Sequence, residues 1–400
     1  MFAELPSITK RSFYTRRRCV IMFIIICCMA VFCVLKLQCT NRLDKFIIEF
    51  DSDSLRPDCR HFLHHTKHPT VRFLGPKEII TDRKELMKLQ KAIPQQINFM
   101  HFNNHFRNPR YLCGIESAAK QNPNHKIIVH AKNETDFETQ TQKWIQLLGD
   151  KIKDRLSFER LDWAPMFEDT PLQQWWADDL YKESKWVDQN LGNAYRLALL
   201  WKRGGIYLDS DIISINPLSG MGRSVAMQRG PRIMNNAYFS FPEQDLFVWD
   251  MMEEFVLGFN GSKWGNNGPR MVERTYNKYC ANSNPEENVD ECNGLGIADP
   301  PRFFPVPYSK RNQIALPWTS HCKLMKFLAD ESIGVHWFNK YYKTLGIPKN
   351  SVLGTLMQLH CPSVVEAFTP TGLGFVEDVG ENTFPEEAKE WMGWEKDDGF

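Results

Sequence analysis

Asp209-Ser210-Asp211 follows the apolar run Ile206-Tyr207-Leu208. A strand projects alternate side chains to one face, so acids two residues apart can converge on one cation where the strand opens into a loop. Hard oxygen donors select Mg²⁺ or Mn²⁺ and leave coordination positions for phosphate oxygens. An ion held there offsets charge on a departing diphosphate. The chemistry expected is a metal site that holds a nucleotide-sugar diphosphate. An isolated Asp-x-Asp also occurs in solvated turns; two glycines and an apolar strand place this one at a sheet edge, where α/β folds bind ligands.

Four other groups could share the work. Arg196 can form a salt bridge to a nearby acid, or hold a sugar hydroxyl through paired hydrogen bonds. Trp264-Gly265-Asn266-Asn267-Gly268-Pro269 is either a surface turn or a donor or acceptor loop whose backbone approaches a ligand, its amides suited to sugar hydroxyls. His336, within Gly334-Val-His-Trp-Phe-Asn339, is either structural or a neutral imidazole that ligates the metal or donates to a phosphate. Glu243 and Asp245 are candidate carboxylate nucleophiles.

Leu197, Leu200 and Trp201 recur at helical spacing, Gly204-Gly205 stops the helix, and residues 206–208 begin a strand. Upstream, residues 91–100 read as the domain's first strand, 113–120 as a helix and 127–129 as a buried strand, the start of an α/β sheet. A helical stretch is expected over 171–180, capped by Asp169-Thr170. A strand over 235–241 and a helix over 246–257 follow the acids.

The chain has 400 residues, 42% of them hydrophobic, and a net charge of +1, which argues against a nucleic-acid binder. Residues 1–18, basic from Lys10 onward, form a cytosolic tail ahead of an apolar run, Cys19 to Leu35, long enough for a short membrane span. A cleaved signal peptide is the alternative, and with it a secreted non-enzymatic glycoprotein; no small-x-small cleavage site follows the run. Residues 36–90 read as a stem, 91–375 as the lumenal domain and 376–400 as an acidic tail. Seven of the eleven cysteines lie outside the span. In an oxidising lumen they default to disulfides, Cys280–Cys292 first among them. Cys39 can cross-link two chains into a homodimer. The sequons at Asn133 and Asn260 fit lumenal exposure.

Glu168-Asp-Thr-Pro-Leu172, the block from Arg196 to Asp211, Asn236-Ala-Tyr-Phe-Ser-Phe241 and residues 264–269 together resemble the α1,4-glycosyltransferase family. Cys113-Gly-Ile-Glu-Ser-Ala-Ala119, Phe303-Phe-Pro-Val-Pro307, Val335-His-Trp-Phe-Asn-Lys340 and His360-Cys-Pro362 extend the match in the family's order. The resemblance implies a Rossmann-like, GT-A-type α/β domain with a mixed central sheet, behind one transmembrane helix in the Golgi membrane. It implies transfer of a hexose, galactose in α1,4 linkage, from a UDP-sugar to a galactose-ended glycolipid or glycan with retention. Retention requires either a carboxylate nucleophile and two inversions or a same-face attack, and the latter is favoured because no acid is singled out by context. By position Asp209 and Asp211 bind Mn²⁺ and the diphosphate. Arg196, Asn193, Tyr207 and Asn236 serve the donor, and His336 lies near the phosphates and the metal. One departure stands out: the family's Ser-Asp is Gly192-Asn193 here, which keeps UDP-N-acetylhexosamine and GDP-mannose open as donors. A catalytically silent Golgi lectin is the reading from a different class.

Overall fold

The computed structural model describes residues 92–102, 110–132, 137–149, 152–230, 233–279, 292, 294–342, 346–368 and 375–376, all within one compact unit, Leu55–Phe400. The apolar run 19–35, the stem, Cys39, Asn133, Cys280 and the acidic tail beyond Val376 lie outside the described residues. Among the described residues no helix is long and apolar enough to cross a membrane.

Seven strands form the central sheet: β1 (Gln96–His101), β2 (Lys126–Ala131), β3 (Leu156–Arg160), β4 (Gly205–Leu208), β6 (Ser224–Arg229), β7 (Ile233–Phe241) and β8 (Gly296–Ala298). Their order is β3-β2-β1-β4-β7-β6-β8. β1 pairs in parallel with β2 and β4, β2 with β3, and β6 with β8, whereas β7 runs antiparallel to both β4 and β6. The sheet is mixed through the one reversed strand, β7. A separate antiparallel pair, β5 (Ile212–Ser214) with β9 (Gly334–His336), continues the chain beyond β4.

Alternation along the strands sorts their side chains into two cores. Ile97, Phe99, Ile127, Val129, Ile206 and Leu208 face one layer, which includes Leu112 and Ile115 of helix α1 (Arg110–Gln121). Met100, Tyr207, Phe239 and Phe241 face the other, built on α2 (Val187–Arg203), α3 (Leu246–Leu257) and α4 (Pro269–Tyr279). Burying apolar faces on both sides explains why the central strands read as nearly continuous apolar runs. The helix expected over 171–180 is two pieces, Leu172–Ala177 and a 3-10 turn Leu180–Glu183, interrupted where Asp179 takes a left-handed φ of 57°. Of the expected capping pair, Thr170 caps, its hydroxyl accepting from Leu172 N–H at 3.2 Å.

Two long-range ties hold the C-terminal helices, α5 (Val352–His360) and α6 (Pro362–Phe368), to α1. Cys113 and Cys361 form a disulfide with Cα atoms 5.0 Å apart. Buried Glu116 accepts from the backbone N–H groups of Ser363 and Val364 at 3.1 and 3.0 Å, filling the first turn of α6. Cys292 and Cys322 are also disulfide-bonded.

Inside the sheet His130 is fully buried, its Nε2 3.1 Å from Asn98 Oδ1. Burial pushes its pKa down to about 4; Glu159 opposes the shift and Arg203 adds to it. The unfolded chain, with an ordinary imidazole near 6.5, then binds a proton that the folded chain refuses. Stability contributed by neutral His130 is complete above pH 6.5 and falls as pH drops toward 4. Denaturant unfolding should show His130 contributing a loss of about 2 kcal/mol between pH 7 and pH 5, in addition to that of His360, which burial also holds near pKa 4. In His130→Gln that slope should flatten, whatever the variant's absolute stability.

Candidate active site

The acids sit where the sheet ends. Asp209 follows the end of β4, two residues after Tyr207, and the buried phenol donates to Asp209 Oδ1 at 2.7 Å. From α2, Arg196 lies over the Tyr207 ring at 4.4 Å and reaches Asp209 Oδ1 at 3.0 Å. The same guanidinium donates to Asn236 O at 2.5 Å and to Gly192 O at 3.2 Å. Of the two roles open to Arg196, the structure shows the ion pair. Tyr207, only 2% exposed, lies beneath Asp209, so it positions that carboxylate instead of touching a donor. Its hydroxyl is pushed well above the usual tyrosine pKa by burial, with Asp209 adding and Arg196 opposing, and stays a donor.

Asp211 is served from the other direction. β9 pairs with β5 so that His336 lies opposite Ile212, and its Nε2 comes 3.3 Å from Asp211 Oδ1. Asn339 N–H donates to Asp211 Oδ2 at 3.1 Å, and Trp337 N–H to Asp211 O at 3.1 Å. The imidazole lies between the rings of Phe304 and Phe338, 5.1 and 4.5 Å away, and its Nδ1 is buried without a hydrogen-bond partner. One ligand atom each from Asp209, Asp211 and His336 lies within 4.8 Å of the others. Burial raises the Asp211 carboxyl pKa, His336 opposes this, and Asp209 adds to it. Two anions and an imidazole so confined fit a divalent cation. A glycine permits the approach of α1 to this loop, since a Cβ on Gly114 would stand 2.4 Å from Ser210 O.

Beside the acids, Asn236 Nδ2 donates to Asn193 Oδ1 at 2.7 Å. Gly268 presses on this pair: a Cβ there would meet Asn236 Nδ2 at 2.9 Å and Asn193 Nδ2 at 3.1 Å. The expected close backbone approach in the 264–268 loop is therefore present, but against protein amides. The Asn266 and Asn267 side chains are turned into the protein. Asn267 Oδ1 accepts from Asn260 N–H and from Asn266, while its Nδ2 donates to Asn190 Oδ1 and Asn260 O. Asn266 Nδ2 also donates to Gly258 O at 2.8 Å. These amides replace a hydrophobic interior for the loop. Gly265 takes a φ of +72°, and Trp264 is 40% exposed. Asn260 is exposed, its Oδ1 accepting from Ser262 N–H at 2.9 Å.

Glu243 and Asp245 are corrected. β7 runs antiparallel to β4, pairing Leu208 with Tyr238 and Gly205 with Phe241. Residues after Phe241 therefore emerge at the sheet edge opposite the acids. Glu243 is solvent-exposed there, and buried Asp245 pairs with Arg223 at 2.5 and 3.0 Å and caps α3 through Phe247 N–H. Phe304, Phe338 and Asn339, which lie within the quoted motifs without an assigned role, complete the site together with Tyr111, which no motif includes and whose hydroxyl bonds the Asn339 side chain. Tyr111 sits in the first turn of α1, far from the acids in sequence, so no local pattern marks it.

Two measurements check this architecture. Tyr207→Phe deletes one hydroxyl that orients Asp209, and Mn²⁺ affinity, read by electron paramagnetic resonance, should fall about tenfold. Gly268→Ala should separate Asn193 from Asn236 and weaken donor binding while leaving Mn²⁺ affinity unchanged; equal loss of both would place Gly268 elsewhere in the energetics.

Residues 108–229 match the profile of the glycosyltransferase sugar-binding region containing the DXD motif, and residues 240–368 that of the alpha 1,4-glycosyltransferase conserved region. Rat lactosylceramide 4-alpha-galactosyltransferase is 29% identical over 269 residues, 66% of this chain and 73% of its own. Human alpha-1,4-N-acetylglucosaminyltransferase is 29% identical over 259 residues, 62% of this chain and 73% of its own. The galactosyltransferase LgtC, solved with donor and acceptor sugar analogues, overlays at a TM-score of 0.40 and 12% identity, over 74% of this chain and 99% of its own. With the acid pair inside the first matched region and His336 inside the second, the chain is a glycosyltransferase, similar in its C-terminal half to the α1,4-glycosyltransferases.

Proposed function

We propose that the chain transfers galactose in α1,4 linkage, with retention, from UDP-galactose to a galactose-ended glycolipid or glycan. The observation that carries this reading is the convergence of Asp209, Asp211 and His336 within 4.8 Å at the sheet edge, with a separate anchor for each acid. Asp209, Asp211 and His336 would hold a divalent ion such as Mn²⁺, which when bound would supply positive charge beside the donor diphosphate. Arg196 and Tyr207 hold the Asp209 carboxylate in one orientation, and Asn339 N–H does the same for Asp211. The Phe304 ring, tilted against the His336 imidazole, and the Phe338 ring, edge-on to it, keep it from turning.

Removal of Glu243 and Asp245 from the site favours a same-face attack over a covalent intermediate. The bond from the anomeric carbon to the diphosphate oxygen breaks, and the acceptor hydroxyl oxygen bonds to that carbon from the same face. Its proton passes to the diphosphate oxygen that has just left. The apolar run 19–35 and the exposed sequon at Asn260 support a single-pass type II setting in the Golgi membrane, with this domain lumenal and Asn260 glycosylated.

A second donor, UDP-N-acetylglucosamine, is favoured by one observation: the human α-1,4-N-acetylglucosaminyltransferase is as similar to this chain as the rat galactosyltransferase is. Incubating the protein with Mn²⁺, lactosylceramide or N-acetyllactosamine and each of UDP-galactose, UDP-N-acetylglucosamine, UDP-N-acetylgalactosamine and GDP-mannose separates the readings. The expected product is an α1,4-linked galactose, identified by NMR, with GDP-mannose inert. A β-linked product refutes retention, and transfer of N-acetylglucosamine alone selects the second donor.

A further inference from the structure

Trp264 carries a contact that the acid site does not require. Its indole is edge-on to Trp186, with centroids 5.3 Å apart, and Lys340 Nζ lies 4.2 Å from its ring centroid. Both arms of this contact are rooted at the acids. Lys340 follows Asn339, whose N–H holds Asp211. Trp264 is four residues from Gly268, which abuts Asn236; the Asn236 carbonyl accepts from Arg196, and Arg196 pairs with Asp209. The Lys340–Trp264 contact therefore closes a ring of contacts that starts at one carboxylate and ends at the other.

We propose that Trp264 is the platform on which the terminal sugar of the acceptor stacks, and that Lys340 covers it until the donor diphosphate draws the ammonium away. The inference rests on the nucleotide-sugar reading above. A pyranose presents C–H groups on one face, and an indole offers a broad, rigid apolar surface for them. Galactose suits such a platform because its axial O4 leaves the opposite face free of hydroxyls; stacking by that face turns O4 away from the ring. The cover is poised to move. An ammonium over an exposed ring is held weakly, whereas a diphosphate offers charge-assisted hydrogen bonds. The lysine stem is long and flexible, and it starts one residue from the amide that fixes Asp211. Donor binding then uncovers the indole, so the acceptor binds second.

The test uses the full chain in detergent, lactose as the acceptor probe, and UDP with Mn²⁺ as the donor probe. In the wild type, lactose affinity by NMR titration should rise about tenfold when UDP and Mn²⁺ are added. Trp264→Ala should lose about tenfold in lactose affinity, with UDP affinity unchanged, and Trp264→Phe should recover most of it. Lys340→Met should bind lactose without UDP as well as the wild type does with it, and UDP should bind severalfold more weakly. Lactose affinity that is indifferent to Trp264, or a UDP effect that survives Lys340→Met, overturns the inference while leaving the donor reading intact. A wild-type chain that binds no UDP overturns both.

Discussion

Two carboxylates two residues apart at the end of a buried strand repel each other, and the surrounding architecture answers that repulsion from two directions. Asp209 is anchored from the helix side, by Arg196 and by the phenol of its own strand. Asp211 is anchored from the later part of the chain, by His336 and the Asn339 amide. The anchors do not neutralise the pair, because the Arg196 guanidinium brings one positive charge against two carboxylates and reaches only Asp209. Negative charge remains concentrated at a sheet edge that is partly desolvated, where a divalent cation gains most. The fold's reversed strand serves the same end: Ala237 O accepts Asp209 N–H at 2.8 Å, tying the first acid to the neighbouring strand as β4 finishes.

Features governed by local sequence were legible. Helical spacing and the glycine stop gave α2 and β4, alternation gave β7, and the apolar run from Leu246 to Leu257 is a helix with those limits. The acid pair was legible because a strand's two-residue period needs no tertiary information. What could not be read was direction. Glu243 and Asp245 follow a strand, and in a parallel sheet they would emerge beside Asp209; β7 is reversed, so they emerge at the far edge. Pairing across long separations was equally hidden. The Cys113–Cys361 disulfide spans 248 residues, and neither cysteine has a spacing that marks its partner. His336 was visible as a candidate, but the β5–β9 ladder that sets it against Asp211 joins segments with no common pattern.

The loop amides show a different limit. Asn266 and Asn267 have the donors and acceptors that a sugar needs, and composition cannot tell whether they face outward or inward. The turn has its own backbone groups to satisfy, and both side chains are committed to them or to each other. The rest of the loop is set against its neighbours, the Gly268 backbone pressed on the Asn193 and Asn236 amides and the Trp264 ring under the Lys340 ammonium.

Gly192-Asn193, where the resemblance led to an expectation of Ser-Asp, takes on a physical meaning in this setting. Without a side chain at 192, the Phe102 ring approaches to 2.8 Å of where a Cβ would stand, and it stacks on Trp163. Asn193 accepts from Asn236 but brings no charge to Arg196, one turn further along α2. An aspartate at 193 would compete with Asp209 for that guanidinium, since residues three apart on a helix are neighbours. With asparagine there, Arg196 is committed to Asp209. The substitution therefore leaves the acid site supported and changes only the wall formed by Asn193, Asn236 and Gly268. On the proposed function, that wall is where one nucleotide sugar would be told from another, because the diphosphate is common to every donor considered.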